Sequence, residues 1–331
     1  MKYDVYGVGN ALVDIVTEVD ASFFSRNGVE KGVMTLVDEK RQHELMGVIE
    51  MGKSKMSCGG SAGNTVIAVS QFGGKSFYSC LVAKDELGKF FLKDLARNGV
   101  DSNLDSDGCP EGHTGRCLVM TSPDADRTMN TFLGISSNLA PEHLDVEALR
   151  QSKYVYLEGY LVASTRGPET MIEAKRIAEK ANAKVSLTLS DPNMVRFFGK
   201  QFTEVIGASV DLLFCNEEEA MMVTGTSHID DAALKMRDLS KQFAITLGAN
   251  GALVYDGELQ IKIQPFSTKA VDTNGAGDMF AGAFLYAITH GHSFADAGRL
   301  ASLASSRVVS QWGPRLEPAQ AKAVLSDLIA G

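Results

Sequence analysis

The stretch from 271 to 289, V-D-T-N-G-A-G-D-M-F-A-G-A-F-L-Y-A-I-T, combines bare glycines with a carboxylate at the start of a predicted helix. The pattern predicts a strand over Lys262 to Phe266 and the residues after it, which Asp272 and Thr273 end, and the small and apolar spacing from Ala276 onward predicts a buried helix. Gly275 and Gly277 would therefore lie at a helix N-terminus. Free N–H groups and the positive end of the helix dipole favour an anion there. The stretch predicts a cradle for a phosphate.

Asp278 lies just inside this predicted helix, next to a pocket that favours negative charge. A carboxylate would repel a bound phosphate there, unless it removes a proton from a hydroxyl group that attacks the phosphate. An anion hole formed by Gly275, Ala276 and Gly277, together with an adjacent base, is the minimal equipment for phosphoryl transfer. In the alternative interpretation this is only a capped helix start, at which Asp278 interacts favourably with the dipole.

Composition limits the possible classes of protein. The chain has 331 residues, enough for one large domain with an appendage or for two domains. Its 44% hydrophobic and 22% charged residues are ordinary for a soluble globular protein. A formal net charge of −9, without a run of Lys and Arg, argues against nucleic acid or an acidic membrane as a partner. ATP could still bind, because helix dipoles and a metal ion supply a local positive field.

The cysteines and histidines indicate neither a disulfide framework nor a metal centre. The five cysteines are odd in number and lack C-x-x-C spacing, which favours a reduced cytoplasmic setting. The six histidines lack metal-ligand spacing. Charged residues interrupt the apolar N-terminus and no run of about 18 apolar residues occurs, so neither a signal peptide nor a membrane span is predicted. We expect a soluble cytoplasmic protein.

Near the N-terminus, a short apolar strand pattern leads into Asn10 and Asp14 within G-V-G-N-A-L-V-D. A dinucleotide fingerprint would need a third glycine at Leu12 and a helix after it, whereas the next residues alternate like a strand, so a dehydrogenase is not favoured. Open α/β sheets bind ligands at the carboxyl ends of their strands, and Asn10 and Asp14 could there bind a hydroxyl-rich ligand. Alternatively, Asp14 is an exposed residue of a half-polar strand.

A second glycine-rich stretch, M-S-C-G-G-S-A-G-N from 56 to 64, precedes an apolar helix pattern. Gly59 and Gly60 allow a ligand to approach the backbone closely, so their amides could contact substrate hydroxyls, with Ser61 and Asn64 as side-chain partners. In the alternative, the stretch is a glycine-rich turn that caps the helix through Ser61.

Two later stretches could contact a nucleotide. Asn216 follows a strand pattern and precedes three glutamates, among them Glu219, at a predicted helix start, although helix capping explains this cluster by itself. The turn T-L-G-A-N-G from 246 to 251 could bring the hydroxyl of Thr246 and the bare amides of Gly248 and Gly251 to phosphates. Alone, it is also a common hairpin turn.

Segments 12–19, 33–37, 115–120 and 127–133 alternate or are rich in β-forming residues, and they interrupt a strand–helix alternation. They predict a small lid sheet on a doubly wound core, which would exclude water from a phosphoryl transfer. Arg127 on this lid could approach the transferred phosphate or simply be solvated.

The other patterns predict parallel strands with helical crossovers: strands at 76–82, 153–157, 184–189 and 210–214, and helices at 86–98 and 168–182.

The order of these motifs resembles that of the ribokinase-like (phosphofructokinase-B type) carbohydrate and nucleoside kinases. The matching motifs are G-x-G-N-x-L-x-D at 7–14, G-G-S with Asn64, N-x-x-E at 216–219, T-x-G-x-x-G at 246–251 and D-T-N-G-A-G-D at 272–278, where Asn274 resembles the adenosine kinase branch. The resemblance implies a three-layer α/β/α fold with a doubly wound, mainly parallel sheet and a small β-sheet lid. It implies a single domain over 1–331, with lid segments at about 11–37 and 113–134.

The same resemblance assigns roles to the candidate residues. Asp278 would be the general base, and Gly275, Ala276 and Gly277 the anion hole. Substrate contacts would come from Asn10, Asp14, Gly59, Gly60, Ser61 and Asn64, and nucleotide contacts from Asn216, Thr246, Gly248 and Gly251. Glu219 would meet Mg²⁺ through water. Tyr160 and Leu161 lie where adenosine kinases carry aromatic residues against the purine, although a core role suits them equally.

We therefore expect an ATP-dependent kinase that phosphorylates a primary hydroxyl of a ribose-containing substrate, converting adenosine to AMP in purine salvage. A sugar kinase for ribose or fructose is the alternative within the class, and a non-catalytic sensor of nucleotide or sugar is the alternative from another class. The expected cofactors are ATP and Mg²⁺, with a monovalent cation such as K⁺ near Asp272 and Thr273 in some relatives. Partners would be small molecules rather than nucleic acid or membrane, bound by a monomer or a homodimer.

Overall fold

Strands and helices alternate along most of the chain, as the apolar pattern predicts. A computed structural model describes residues 1–49, 54–104, 108–122 and 127–330, without the side chains of 127 and 328–330. The strands are β1 (Tyr3–Val8), β2 (Leu12–Glu18), β3 (Met34–Leu36), β4 (Lys55–Gly59), β5 (Ser76–Ser79), β6 (Val100–Asp101), β7 (Gly115–Thr121), β8 (Arg127–Phe132), β9 (Ser152–Leu157), β10 (Lys184–Thr188), β11 (Val210–Asn216), β12 (Ser240–Thr246), β13 (Ala252–Tyr255) and β14 (Gln260–Ile263). The helices are α1 (Ala21–Arg26), α2 (Glu39–Gly47), α3 (Ser61–Gln71), α4 (Glu86–Arg97), α5 (Val146–Arg150), α6 (Gly167–Lys180), α7 (Pro192–Ile206), α8 (Glu217–Thr224), α9 (Ile229–Met236), α10 (Ala276–Thr289), α11 (Phe294–Val309) and α12 (Pro318–Ala330).

Within the described residues, nine strands form one large sheet in the order β14-β13-β12-β11-β10-β9-β1-β5-β6. Neighbours from β12 to β6 are parallel, whereas β13 and β14 form an antiparallel edge. Parallel neighbours require crossover connections, which the intervening helices supply. The predicted doubly wound, mainly parallel sheet is confirmed.

Helices cover both faces of this sheet, and each face has its own apolar core. One core is formed with α3, α4, α10, α11 and α12, and the other with α5 to α9. The first contains Val66, Phe91, Phe284, Leu300 and Val324, and the second contains Leu149, Met171, Phe202, Ala220 and Met236. Because the central strands are buried on both sides, they read as nearly continuous apolar runs. The predicted three-layer α/β/α arrangement is confirmed.

The part of the chain that the structure describes also contains a second sheet of five strands, in the order β3-β8-β7-β2-β4. Helices α1 and α2 contribute to a small apolar core with this sheet, made of Ile15, Phe23, Phe24, Leu45, Leu118 and Met120. Four of its strands come from the two predicted lid segments. The fifth, β4, lies outside both segments and pairs antiparallel with β2. Its sequence K-M-S-C-G contains no β-branched residue, so the strand pattern there is weak.

The predicted strand that starts at Lys262 is confirmed only as far as Ile263, and its predicted end at Asp272 and Thr273 is wrong. β14 ends at Ile263, and residues 264–271 form no strand. Pro265 cannot donate a backbone hydrogen bond to a sheet, which explains why the pairing stops. Instead, the N–H groups of Val271 and Asp272 both donate to the carbonyl oxygen of Val309, at 2.8 and 3.1 Å. The approach to α10 is therefore attached to the end of α11.

The predicted helix from Ala276 is confirmed as α10, which packs against α3. The two helices approach closely at Gly282, where an added Cβ would lie 2.5 Å from the Cβ of Ala68. Each helix begins near the carboxyl ends of the parallel strands. Side chains from the first turns of α3 and α10 therefore meet at one edge of the large sheet.

Candidate active site

A cavity of about 390 Å³ lies at the carboxyl ends of the parallel strands, between the two sheets. Its polar lining includes one residue at or just after the ends of β1, β9, β10, β11 and β12, namely Asn10, Glu158, Thr188, Asn216 and Thr246. β1 lies between β5 and β9, where the order of connections reverses, and open α/β sheets bind ligands at such a point. The cavity therefore has the place and size of a small-molecule site.

The N-terminus of α10 borders this cavity through Gly275, Gly277 and Asp278. Gly275 has φ +74°, and an added Cβ would lie 2.4 Å from Pro314, so glycine is required for the turn. At Gly277 an added Cβ would meet only open space, which leaves the backbone accessible to a ligand. Ala276 donates its N–H to the carbonyl oxygen of Thr273 at 3.3 Å and is not among the lining residues.

Asp278 is partly buried and is held by two donors from α3. The Ser61 hydroxyl donates to Oδ1 at 2.7 Å, and the Asn64 amide nitrogen donates to Oδ2 at 2.8 Å. Ser61 and Asn64 are three residues apart, so both project from the same face of the helix. All three side chains line the cavity. The carboxylate thus has a fixed orientation beside the glycine turn.

Burial raises the pKa of Asp278 to about 6, while the hydrogen bonds from Asn64 and Ser61 and the charge of Arg315 act in the opposite direction. The group is therefore mainly ionised at neutral pH, but it has a much higher proton affinity than an exposed carboxylate. A pKa close to the working pH suits a general base.

The start of α3 does not fit the alternative in which the Ser61 side chain caps this helix. The N-cap is Gly60, with φ +90°, and no side chain caps the helix. An added Cβ on Gly60 would lie 2.2 Å from the carbonyl oxygen of Asn10, so glycine allows the helix to start directly against the end of β1. Ser61 is consequently free to reach Asp278 rather than its own helix, and the capping alternative is wrong.

At the opposite side of this turn, the carboxylate of Asp14 lies directly over Gly59, where an added Cβ would be 2.5 Å from Oδ1. Asp14 is 9% exposed and lines the cavity. Asn10 is held by two side chains: its amide nitrogen donates to Glu158 at 2.9 Å, and its amide oxygen accepts from Ser136 at 3.2 Å. These carboxylate and amide groups form a polar end of the cavity.

Glu158 lies in the site, although none of the motifs in the sequence predicts it there. It is 1% exposed, lines the cavity and also accepts from the backbone N–H of Ala62 at 2.8 Å. Burial raises its pKa to about 7, against the hydrogen bonds from Ala62 and Asn10. Its carboxylate, just after the end of β9, thus connects this strand to the residues after β1 and to the first turn of α3. The available signal was a single acidic residue directly after the apolar run Y-V-Y-L, at the end of a central strand.

Asn216 and Glu219 form a capping box at the start of α8. The Asn216 amide nitrogen and backbone N–H donate to the two carboxylate oxygens of Glu219 at 2.8 and 2.9 Å. The capping interpretation of this motif therefore describes the geometry, yet both residues also line the cavity. Burial, with Asp191 and Glu218 nearby, raises the pKa of Glu219 to about 7.

The surroundings of Glu219 fit a Mg²⁺ ion held through water better than one held directly. Both carboxylate oxygens of Glu219 already accept hydrogen bonds. Burial raises the pKa of Glu219, and a nearby cation would stabilise its ionised form. Mg²⁺ retains several waters and uses few protein ligands. The described residues contain no group of three or more His, Cys, Asp or Glu that could enclose a metal alone.

The predicted nucleotide turn after β12 is only partly at the cavity. Thr246 lines it, whereas Gly248 and Gly251 are not among the lining residues. They flank an exposed turn with φ +55° and +89°, and an added Cβ on Gly251 would lie 2.1 Å from the carbonyl oxygen of Ile263. The conformation of the hairpin therefore accounts for Gly251 without a ligand.

Four neighbouring strands of the smaller sheet contribute one row of side chains to the wall of the cavity. Asp14 pairs with Cys117, Cys117 with Thr131, and Thr131 with Leu36, and all four line the cavity. The adjacent pair Met34 and Met129 lines it too. Three strand spacings of about 4.8 Å separate the ends of the row by roughly 14 Å. The side of the cavity formed by the smaller sheet is therefore polar at Asp14 and becomes apolar at Leu36, Met34 and Met129.

Comparison with known proteins places this geometry in a family. Residues 32–321 match the pfkB family carbohydrate kinase. The chain belongs to the pfkB family of carbohydrate kinases. Its structure resembles that of an adenosine kinase from Sinorhizobium meliloti, with 35% identity and a TM-score of 0.90 over 99% of this chain and 100% of that one. It also resembles the structure of a probable sugar kinase from Rhizobium etli, with 34% identity and a TM-score of 0.89 over 99% of each chain. Adenosine kinase 1 of Arabidopsis thaliana is 26% identical over 330 residues, 93% of this chain and 94% of the relative.

The pfkB-family chain is therefore a phosphotransferase with an alcohol group as acceptor, from a family that uses ATP. The ribokinase-like fold is confirmed by the same structures. Tyr160 lines the cavity of this kinase, whereas Leu161 belongs to the apolar core. The side chain of Arg127 lies outside the described residues. Among the helices that the structure describes, none has the length and apolar character needed to cross a membrane.

Proposed function

We propose that this kinase transfers the γ-phosphoryl group of ATP to the primary hydroxyl of adenosine and produces AMP. The observation that carries the proposal is the graded cavity, which is polar around Asp14 and Asp278 and apolar beneath Leu36, Met34 and Met129. A nucleoside has the same division, with a hydroxyl-rich ribose at one end and a flat base at the other. The similarity to the Sinorhizobium meliloti adenosine kinase supports the same substrate class.

In the proposed reaction, the substrate hydroxyl oxygen forms a bond to the γ-phosphorus of ATP, and the bond from that phosphorus to the ADP oxygen breaks. Asp278 accepts the hydroxyl proton. The N–H groups of Gly275 and Gly277, which line the cavity, and the dipole of α10 stabilise the negative charge of the transferred group, whereas the N–H of Ala276 is used within the turn. Bound Mg²⁺ would supply positive charge at the ATP phosphates, with Glu219 as its partner through water.

The remaining residues bind and orient. Asp14 and the Gly60 backbone would contact the ribose hydroxyls, whereas Gly59 does not line the cavity. The amide of Asn10, which Glu158 and Ser136 hold in place, would contact the same hydroxyls. Asn216 and Thr246, at the ends of β11 and β12, would contact the nucleotide. The smaller sheet would act as a lid that keeps water from competing with the substrate hydroxyl.

A second candidate function is phosphorylation of a free sugar, which the similarity to the Rhizobium etli probable sugar kinase favours. Both candidates share Asp278 and the glycine turn and differ in what fills the apolar end of the cavity. A free pentose or hexose would leave that end empty.

The test is a steady-state assay of ADP formation from ATP and Mg²⁺ with adenosine, inosine, ribose and fructose as acceptors, and with products identified by mass. We expect the highest kcat/KM with adenosine, and AMP as the product. A preference for ribose or fructose would replace the nucleoside proposal by the sugar kinase. Absence of turnover with every acceptor would contradict both.

A further inference from the structure

Residues 311–316, Q-W-G-P-R-L, follow α11 and pass behind the N-terminus of α10; we call this segment the C-terminal buttress. The N–H of Gly313 donates to the buried carboxylate of Asp272 at 2.9 Å. Pro314 occupies the space that a side chain on Gly275 would need. The buttress therefore supports the glycine turn, and none of its residues lines the cavity.

Arg315, the next residue of the buttress, joins three other elements. Its Nε donates to the amide oxygen of Asn64 at 2.7 Å, its Nη2 to the carbonyl oxygen of Cys58 at 2.8 Å, and its Nη1 to the carboxylate of Asp94 at 2.5 Å. The side chain is 14% exposed and that of Asp94 is 24% exposed. A planar guanidinium with three partners in fixed directions has little freedom to rotate.

These contacts determine how Asn64 faces Asp278. An amide side chain can present either its oxygen or its nitrogen, but a guanidinium has only donors and therefore binds the oxygen. The nitrogen of Asn64 must then point to Asp278, where it donates at 2.8 Å. An ionised carboxylate only accepts, so this orientation favours the ionised form of the base.

We propose that Arg315 is a positioning residue for the phosphoryl transfer: it fixes the Asn64 amide as a donor to Asp278, and its charge favours the carboxylate form of that base. The inference rests on the proposed function, in which Asp278 takes the hydroxyl proton. Arg315 does not line the cavity, so it acts through Asn64 rather than on the substrate.

The charges around the base make this proposal measurable. The guanidinium of Arg315 is the charge that acts on Asp278. The other titratable groups that face Asp278 from the surrounding elements are the carboxyl of Glu158 and the phenols of Tyr78, Tyr156 and Tyr160, and burial, together with the negative charge of Asp278, raises the pKa of each. Arg315 lowers the pKa of Asp278, against burial, which raises it. Asp94 lies on the far side of the guanidinium and neutralises part of its charge.

Two substitutions should therefore move the pH dependence of kcat in opposite directions. Arg315→Met removes the cation and releases the Asn64 amide, so the acid limb should move to higher pH by about one unit, and kcat at pH 7 should fall roughly 10- to 100-fold with KM values little changed. Asp94→Asn leaves the cation less neutralised, so the limb should move to lower pH. Arg315→Lys retains the charge without the planar fork, so its limb should stay near the wild-type position while kcat falls.

The matched control is Arg307→Met, which removes another arginine of the C-terminal region that pairs with Asp327 at the surface, at 3.3 Å. It should leave kcat and the pH profile unchanged. Thermal unfolding of each variant separates loss of fold from loss of positioning. If Arg315→Met does not fold, Asp94→Asn and Arg315→Lys still test the proposal.

The inference about Arg315 is overturned if Arg315→Met keeps the wild-type kcat and pH profile while Asp278→Asn is inactive; the kinase mechanism would then stand. It is also overturned if Arg315→Met loses activity while neither Arg315→Met nor Asp94→Asn shifts the acid limb, since that indicates a purely structural role. Wild-type turnover in Asp278→Asn would contradict the proposed mechanism itself, and the role of Arg315 with it.

Discussion

Replacing Asp278 by Asn should increase stability and abolish catalysis, because burial of the carboxylate is unfavourable for folding. Burial raises its pKa from an ordinary 3.8 to about 6. This difference corresponds to ~3 kcal/mol. Since the folded-state pKa lies above the unfolded one, the contribution to stability is fully present below pH 3.8 and is lost as pH rises through about 6. Above that pH the folded wild type carries the whole cost of the buried charge.

An Asn side chain does not ionise, so the variant avoids this cost. It loses part of the hydrogen bonding, because the donors of Ser61 and Asn64 cannot both meet an acceptor on an amide, and each such loss costs about 1 kcal/mol. The variant should therefore be more stable than the wild type by roughly 1–2 kcal/mol near pH 8. The advantage should shrink towards pH 5, where the wild-type carboxyl is mainly protonated.

Activity should change in the opposite sense. The loss of a general base lowers kcat by roughly 10²–10⁴-fold, with KM values for ATP and adenosine close to the wild type. In the wild type, kcat should fall with decreasing pH below about 6, and the variant's residual rate should lack this limb. The assays are ADP formation from pH 5 to 8 and equilibrium urea unfolding at pH 5 and 8.

The exposed residue Asp238 provides the control, since Asp238→Asn should alter neither measurement. Near-normal turnover in Asp278→Asn would refute the assignment of the base. A stability difference that grows as the pH falls would refute the argument from burial.

Three further predictions concern the glycine turn, the lid and the metal. Gly275→Ala should lower the free energy of unfolding by roughly 1–3 kcal/mol, because of φ +74° and the contact with Pro314, whereas Gly277→Ala, with open space around its Cβ, should fold normally but reduce kcat; urea unfolding and kinetics of both check this. Leu36→Asp should raise the KM for adenosine roughly tenfold and leave that for ATP nearly unchanged, and equal effects on the two would contradict the graded cavity. Removing Mg²⁺ with a chelator should abolish turnover, and Glu219→Gln, which can keep the capping box, should raise the Mg²⁺ concentration for half-maximal rate by roughly tenfold; an unchanged Mg²⁺ dependence would exclude Glu219 as the partner.

The sequence was sufficient for those parts of the fold that depend on local pattern. The start of α10 could be predicted because glycines and a helical apolar period occur together within a few residues. The parallel sheet followed from repeated strand and helix patterns. β4 could not be predicted, since a five-residue strand with few β-forming side chains depends on its partner β2 for its conformation.

Within the candidate site, residue types could be predicted better than contacts. The sequence predicts Ser61 and Asn64 as partners of substrate hydroxyls, yet their side chains contact Asp278, 217 and 214 residues away in the chain. No local pattern encodes such a contact. Arg315 lies 251 residues from Asn64 and follows a helix whose pattern ends before it, so a solvated arginine and a buried positioning residue have the same local sequence.

The buttress also has a consequence for the order of events during synthesis. Asn64, Asp278 and the described strands of the large sheet all leave the ribosome before Arg315, which emerges only after α11 is complete. The orientation of the base should therefore be established late, after the surrounding layers are already compact. A nascent chain stalled before the buttress has emerged would be able to gain much of its secondary structure while remaining inactive, and recovery of turnover during refolding would report the docking of the buttress.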